Sequence, residues 1–259
     1  ARLPLDLDSF EDPAHQRVVA ALGTLPPAER KVAWLLLDAR SGPRPWDLRN
    51  HPANAAWREE MASRGVELGP WLDGKPVEIT SPEGRALMVD LEADPMEVFQ
   101  MGAWFETCLS PGDFNFFSTV ANAADANKRV LVARAETGQV VFRCLLAITD
   151  SRGLLTFQVY AHHERDWAEE FTKGYVQDLA RAIRVPLLPG GPVRCLVAKR
   201  WYDDGPEDLV DALSALRDGS PLRQRIASAP PVQACAMVRE ELGEELFFAL
   251  LGQIVDEGW

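Results

Sequence analysis

The sequence predicts an α+β fold, and three observations predict it. Arg129–Ala135, Val140–Thr149 and Leu154–Ala161 are consecutive runs rich in Val, Leu, Phe and Ile, and the gaps between them hold the turn glycines Gly138 and Gly153; that pattern is an antiparallel meander. The stretches on both sides follow the spacing of amphipathic helices. A chain of 259 residues, 47% hydrophobic, with 8 Trp and 11 Phe has enough apolar area for a full core, which separates it from disordered chains.

Residues 1–75 read as a helical N-terminal subdomain. Asp12-Pro13 opens one helix, and Pro26-Pro27-Ala28-Glu29 opens a second that carries Val32, Trp34, Leu35, Leu36 and Leu37. Proline is tolerated in a first helical turn, where its missing N–H has no intrahelical partner to lose. A third helix covers Pro52 to Arg64 and stops at Gly65, with turn signals at Gly69-Pro70 and Asp73-Gly74. Residues 76–217 form the α+β core. Val77–Thr80 and Ala86–Leu91 make a hairpin, and Asp94-Pro95-Met96-Glu97 is a capping-box start. Asp113 caps the next helix, Phe114 to Asn127, whose apolar stripe is Phe114, Phe117, Val120, Ala121 and Ala124. After the meander come a helix from Trp167 to Arg184, a strand Val193–Lys199 and a helix Pro206 to Arg217. Residues 218–259 form a helical C-terminal extension with Met237, Leu242, Leu246, Leu250 and Ile254 on one face.

Charge narrows the partners. The formal charge is -12, from 39 acidic and 27 basic side chains, so phosphate backbones and anionic lipid surfaces are repelled; no nucleic acid and no membrane is expected. No apolar run reaches the ~18 residues of a spanning helix and no leader-type apolar segment opens the chain. Cys108, Cys144, Cys195 and Cys235 are widely spaced with no CxxC pair, which fits reduced thiols and a cytoplasmic location.

From Val77 the order is hairpin, helix, helix, three antiparallel strands, helix, strand, helix. That order resembles the core of the GNAT acyltransferase superfamily over residues ~77 to ~217. The resemblance implies a mixed sheet and acyl-CoA as cofactor, its pyrophosphate at the start of the third core helix on an Arg/Gln-x-x-Gly-x-Gly/Ala turn. Here Lys173-Gly174-Tyr175 is what matches that turn, so Lys173 and Gly174 are the cofactor-binding candidates. The same stretch holds Glu164, Asp166, Glu169 and Glu170, four carboxylates that oppose a pyrophosphate by charge.

The residues themselves offer further chemistry. Cys108 stands just before a helix start, where the dipole favours the thiolate, and His162 and His163 end the third meander strand, so Cys108, His162 and His163 are the catalytic candidates of a Cys–His hydrolase or transferase. Asn115, Ser118, Thr119 and Asn122 recur at helical spacing, and Asn127-Lys128-Arg129 follows; such amides and hydroxyls bond a ligand or brace the sheet. Asp113, Asn115, Thr119, Asn122, Lys128 and Tyr160 are therefore the ligand-binding candidates, in a pocket between the 108–113 loop and the 160–165 strand end. Neighbouring residues of a strand point to opposite faces, so His162 and His163 do not chelate one ion, and no metal is expected. Three readings stand together: an acyltransferase-like domain taking a small ligand or acyl donor, a Cys108/His-dependent enzyme, and a non-catalytic module whose acidic surface meets a protein or peptide partner.

Overall fold

The structure is a computed structural model and describes residues 12–41 and 50–202. The chain divides into two units, Ala1–Asp203 and Asp204–Trp259. The second unit, with the expected helices Pro206–Arg217 and 218–259, lies outside the described residues. What is described is α+β: seven helices flank one five-stranded antiparallel sheet.

Local chemistry sets most of the element starts. Helix α1 (Pro13–Thr24) begins where Asp12 accepts the Ala14 N–H, and α3 (Pro52–Ser63) where His51 Nδ1 accepts that of Ala53; each bond satisfies a donor the first turn leaves open. Helix α2 is Pro27–Ser41 and α4 is Gly69–Asp73. Strands β1 (Val77–Thr80) and β2 (Ala86–Leu91) form the hairpin. Helix α5 (Pro95–Gln100) starts under Asp94, which bonds the Met96 N–H. Glu97 does not close a capping box; it joins Glu92 in pairing with Arg134. Helix α6 is Ser118–Ala124, and the meander is β3 (Lys128–Ala135), β4 (Val140–Ile148) and β5 (Leu154–Ala161). Helix α7 is Arg165–Ile183.

The sheet order is β1-β2-β3-β4-β5, every pair antiparallel. Alternation along the strands splits the core in two. Val130, Val132 and Leu145 face α1, α2, α5 and α6, whereas Leu131, Phe142, Cys144 and Leu146 face α3, α4 and α7. The first four helices are thus divided between the two halves of the core, α1 and α2 on one face of the sheet and α3 and α4 on the other.

Two expectations change. Asp113 does not cap a helix from Phe114: residues 114–117 are turns, and α6 starts only at Ser118, with no side-chain cap. Pro111 and Gly112, the latter at φ +95, bend the chain so that Asn115 N–H returns to Cys108 O at 3.0 Å. Residues 193–199, expected as a strand, have no regular secondary structure. Successive N–H groups of a strand point in opposite directions, but those of Leu196, Val197 and Ala198 all converge on the Asp125 carboxylate at 3.0, 2.8 and 2.9 Å. Among the described residues the chain after α7 pairs with a strand in one isolated parallel bridge, Leu154 to Leu187.

Candidate functional site

The predicted catalytic residues lie near one end of the sheet without forming a dyad. Cys108 is exposed, and buried Asn115 donates its amide to the sulfur at 3.4 Å. His162 is exposed and stacks on Phe105, 4.5 Å between ring centres; His163 is also exposed. Neither imidazole hydrogen-bonds the Cys108 thiol among the described residues. Asp113 is exposed beside this loop. Tyr160 stands opposite Arg143 on neighbouring strands, the guanidinium 4.4 Å over its ring, and Arg143 in turn bonds Met101 O and Thr107 Oγ1.

The polar residues of α6 receive a segment of the chain itself. Thr119 Oγ1 donates to Phe116 O, and Asn122 donates to Ser118 O while accepting from Trp201 Nε1 at 3.3 Å. Ser118 Oγ donates to Tyr202 O and accepts the Tyr202 N–H. Lys128 is wholly buried, its ammonium 2.9 Å from Asp125, 3.1 Å from Asn127 Oδ1 and 2.9 Å from Arg194 O, with the Trp201 ring 4.8 Å away. Ser118, Asn122 and Lys128 therefore brace residues 194–202, while Thr119 bonds back to its own turn. The three aligned N–H groups at 196–198 make an anion-receiving concavity, and its anion is Asp125.

At the other side of the sheet a groove opens between α7 and the α4–β1 connection. Its volume is about 370 Å³, within the ~300–1,000 Å³ of ligand sites. It follows three turns of α7, from Glu170 to Ala182, and its opposite wall holds Pro70, Lys75 and Val77. Phe171, Tyr175 and Leu179 form its apolar floor. Gly174 lines it too, and a Cβ added there would touch nothing within 4 Å. Helix packing thus does not require this glycine, although glycine inside a helix is unfavourable by ~1 kcal/mol relative to alanine. Gly174 is exposed at the groove's mid-length, with open space in front of its Cα. Lys173, its neighbour, is exposed and outside the lining.

Behind the floor lie buried Arg129 and partly buried Asp90, beside the Tyr175 phenol. Burial pushes the Tyr175 phenol up to about 12, with the Asp90 charge adding to it. Burial also brings Arg129 down to about 10, against the opposing pull of Asp90, Glu92, Tyr175 and Asp73. Arg129 Nη2 donates to Leu91 O at 3.2 Å, while its buried Nε has no hydrogen-bond partner among the described residues. Asp90 carries a carboxyl raised by burial and accepts N–H groups of Leu91 and Lys75, so it ties down the Gly74-Lys75 turn that forms the groove wall. Gly74 is required there: its φ is +72, and a Cβ would stand 2.6 Å from Asp90 Oδ1.

A second groove, about 520 Å³, runs along α2 past Trp34 and Leu35 to His51, Val197 and Lys199. It has no strand in its wall and no glycine opening. Among the described residues no cluster of His, Cys, Asp and Glu is arranged to hold a metal ion, and no helix is long and apolar enough to cross a membrane. The start of α7, where the resemblance implies pyrophosphate, has Glu164 as its N-cap residue in left-handed conformation, with no side-chain cap bond, and Asp166 in the first turn.

The sequence places Gly174 and Tyr175 in a phosphate turn and Glu170 among the carboxylates that oppose it, and does not single out Asp178. The signal was present: Glu170, Gly174 and Asp178 stand at i, i+4 and i+8, one line along a helix. No family model matches this chain, and no curated protein and no solved structure matches it.

Proposed function

We propose that this unit is a recognition module and that the α4–β1–α7 groove is its ligand-receiving surface. The observation that carries the reading is the groove itself, of ligand size and floored by Phe171, Tyr175 and Leu179, with a mid-helix glycine, Gly174, that no packing contact demands along its length. Two features support binding over catalysis. Ser118 and Asn122 of α6 are engaged by Tyr202 and Trp201, and the groove brings together an apolar floor, two rim carboxylates and one ammonium without a nucleophile–base pair. Acyl transfer at the start of α7 has less support, because Glu164, Asp166, Glu169 and Glu170 gather negative charge where a pyrophosphate would need donors.

The test is a peptide-display selection run in parallel on the native protein and on Gly174→Phe, which fills the groove. Peptides enriched on the native protein and not on the variant support the reading. Equal enrichment on both, or none on either, overturns it. Unfolding curves of the two proteins show that the variant remains folded.

A further inference from the structure

Resting on that reading of the groove, we infer that its occupant is an extended peptide that adds to the edge of β1, with basic side chains at positions j and j+4 and an apolar one at j+2. Among the described residues β1 is an edge strand, paired only with β2. The outer main-chain groups of an edge strand are a template for another strand. Val77 and Ile79 stand opposite Val89 and Leu87 and turn toward the α7 side of the sheet. Val77 is the β1 residue that lines the groove, and in a strand paired to β1 every second side chain points to the same, α7 side of the sheet.

The rim of α7 sets which side chains those are. Glu170, Gly174 and Asp178 succeed one another along one ridge of the helix and all line the groove. At ~1.5 Å per residue, the two acids are about 12 Å apart with the glycine gap midway. Positions j and j+4 of a strand are about 13 Å apart, with j+2 midway. An extended chain lying along the groove therefore brings alternate side chains to acid, gap and acid in register. Cationic ends meet the carboxylates, and the middle residue enters the opening above Phe171 and Tyr175. Asp178 already pairs with Arg181, an exposed pair of the weakly held kind that yields to a competing cation. The -12 charge of the chain attracts the same class of partner over longer range.

The probe is a capped fluorescent peptide with the core Lys-Thr-Val-Thr-Lys, compared with its shuffle Lys-Lys-Thr-Val-Thr by anisotropy titration against the full chain. The expected result is binding of the first at least about tenfold tighter than the second. It is weakened by added salt, abolished by N-methylation of alternate peptide amides, and transferred to Glu-Thr-Val-Thr-Glu by the double variant Glu170→Lys/Asp178→Lys. Equal binding of core and shuffle, survival of binding after N-methylation, or no binding at about 1 mM overturns the strand-addition inference. Gly174-dependent peptides from the selection above that lack this spacing would leave the groove reading standing while removing this one. A selection without Gly174 dependence removes both.

Discussion

The Lys128 ammonium lies 2.9 Å from the Asp125 carboxylate, and both side chains are completely shielded from solvent. The remaining acceptor capacity of Asp125 is filled by the N–H groups of residues 196–198, and the remaining donors of Lys128 by Asn127 and Arg194. Such a pair is favourable only when every lone pair and proton is satisfied. Lys128→Met therefore leaves an uncompensated buried carboxylate. The expected loss is about 3–5 kcal/mol in urea unfolding, together with lost amide-exchange protection at residues 196–198; protection unchanged there would separate the strap from the pair.

Gly174→Ala moves stability the other way. The added methyl meets nothing, the helix gains propensity, and unfolding should show a stabilisation of up to ~1 kcal/mol. A destabilisation would mean that the helix surface at this point is covered in solution.

Gly102 is the contrasting case. A Cβ there would fall 2.1 Å from the carbonyl carbon of Leu109 and 2.2 Å from Ser110 N, both main chain. The turns from 101 to 110 cannot withdraw without breaking the Thr107 N–H to Gly102 O bond at 3.1 Å. Gly102→Ala should destabilise by about 3 kcal/mol or more in the same assay, at the upper end of overpacking costs.

Asp90 gives a dependence on pH. Burial raises its carboxyl above the ordinary 3.8 despite bonds from Leu91 and Lys75 and the nearby Arg129 charge. The native state then binds the proton more tightly than the unfolded chain. The stability it adds is full below the unfolded value and is lost as pH rises through the raised native one. Asp90→Asn removes this titration, so the stability difference should move in favour of the variant from about pH 4 upward and level off above the native pKa. Parallel curves for the two proteins, followed by urea unfolding at each pH, would contradict it.

Thiol chemistry checks the loop around Cys108. Cys108 is exposed and Cys144 is wholly buried, so alkylation of the native protein followed by peptide mapping should label the first and spare the second until unfolding. The Asn115 amide donates to the Cys108 sulfur and favours the thiolate. Asn115→Ala should slow Cys108 alkylation at neutral pH about fivefold, the equivalent of one ordinary hydrogen bond. An unchanged rate would show that the amide is not a partner of the thiolate.

Elements whose causes are local are legible in the amino-acid sequence. Asp12 and Asp94 before Pro13 and Pro95 place helix starts because a carboxylate and a proline act on the turn that follows them. The runs ending at Ala135, Thr149 and Ala161 write the meander because pleat and turn glycine repeat within a few residues. Tertiary structure alone decided what depends on groups far apart in the chain. Residues 193–199 have strand composition, yet Asp125, some seventy positions earlier, draws three of their N–H groups to one point. Asn122 and Ser118 read equally well as ligand donors until Trp201 and Tyr202 occupy them. Gly174 is one glycine among 18 in the sequence. It lines a groove because the fold sets the α4–β1 connection across from it; an opening exists only between two walls, and the sequence describes them one at a time.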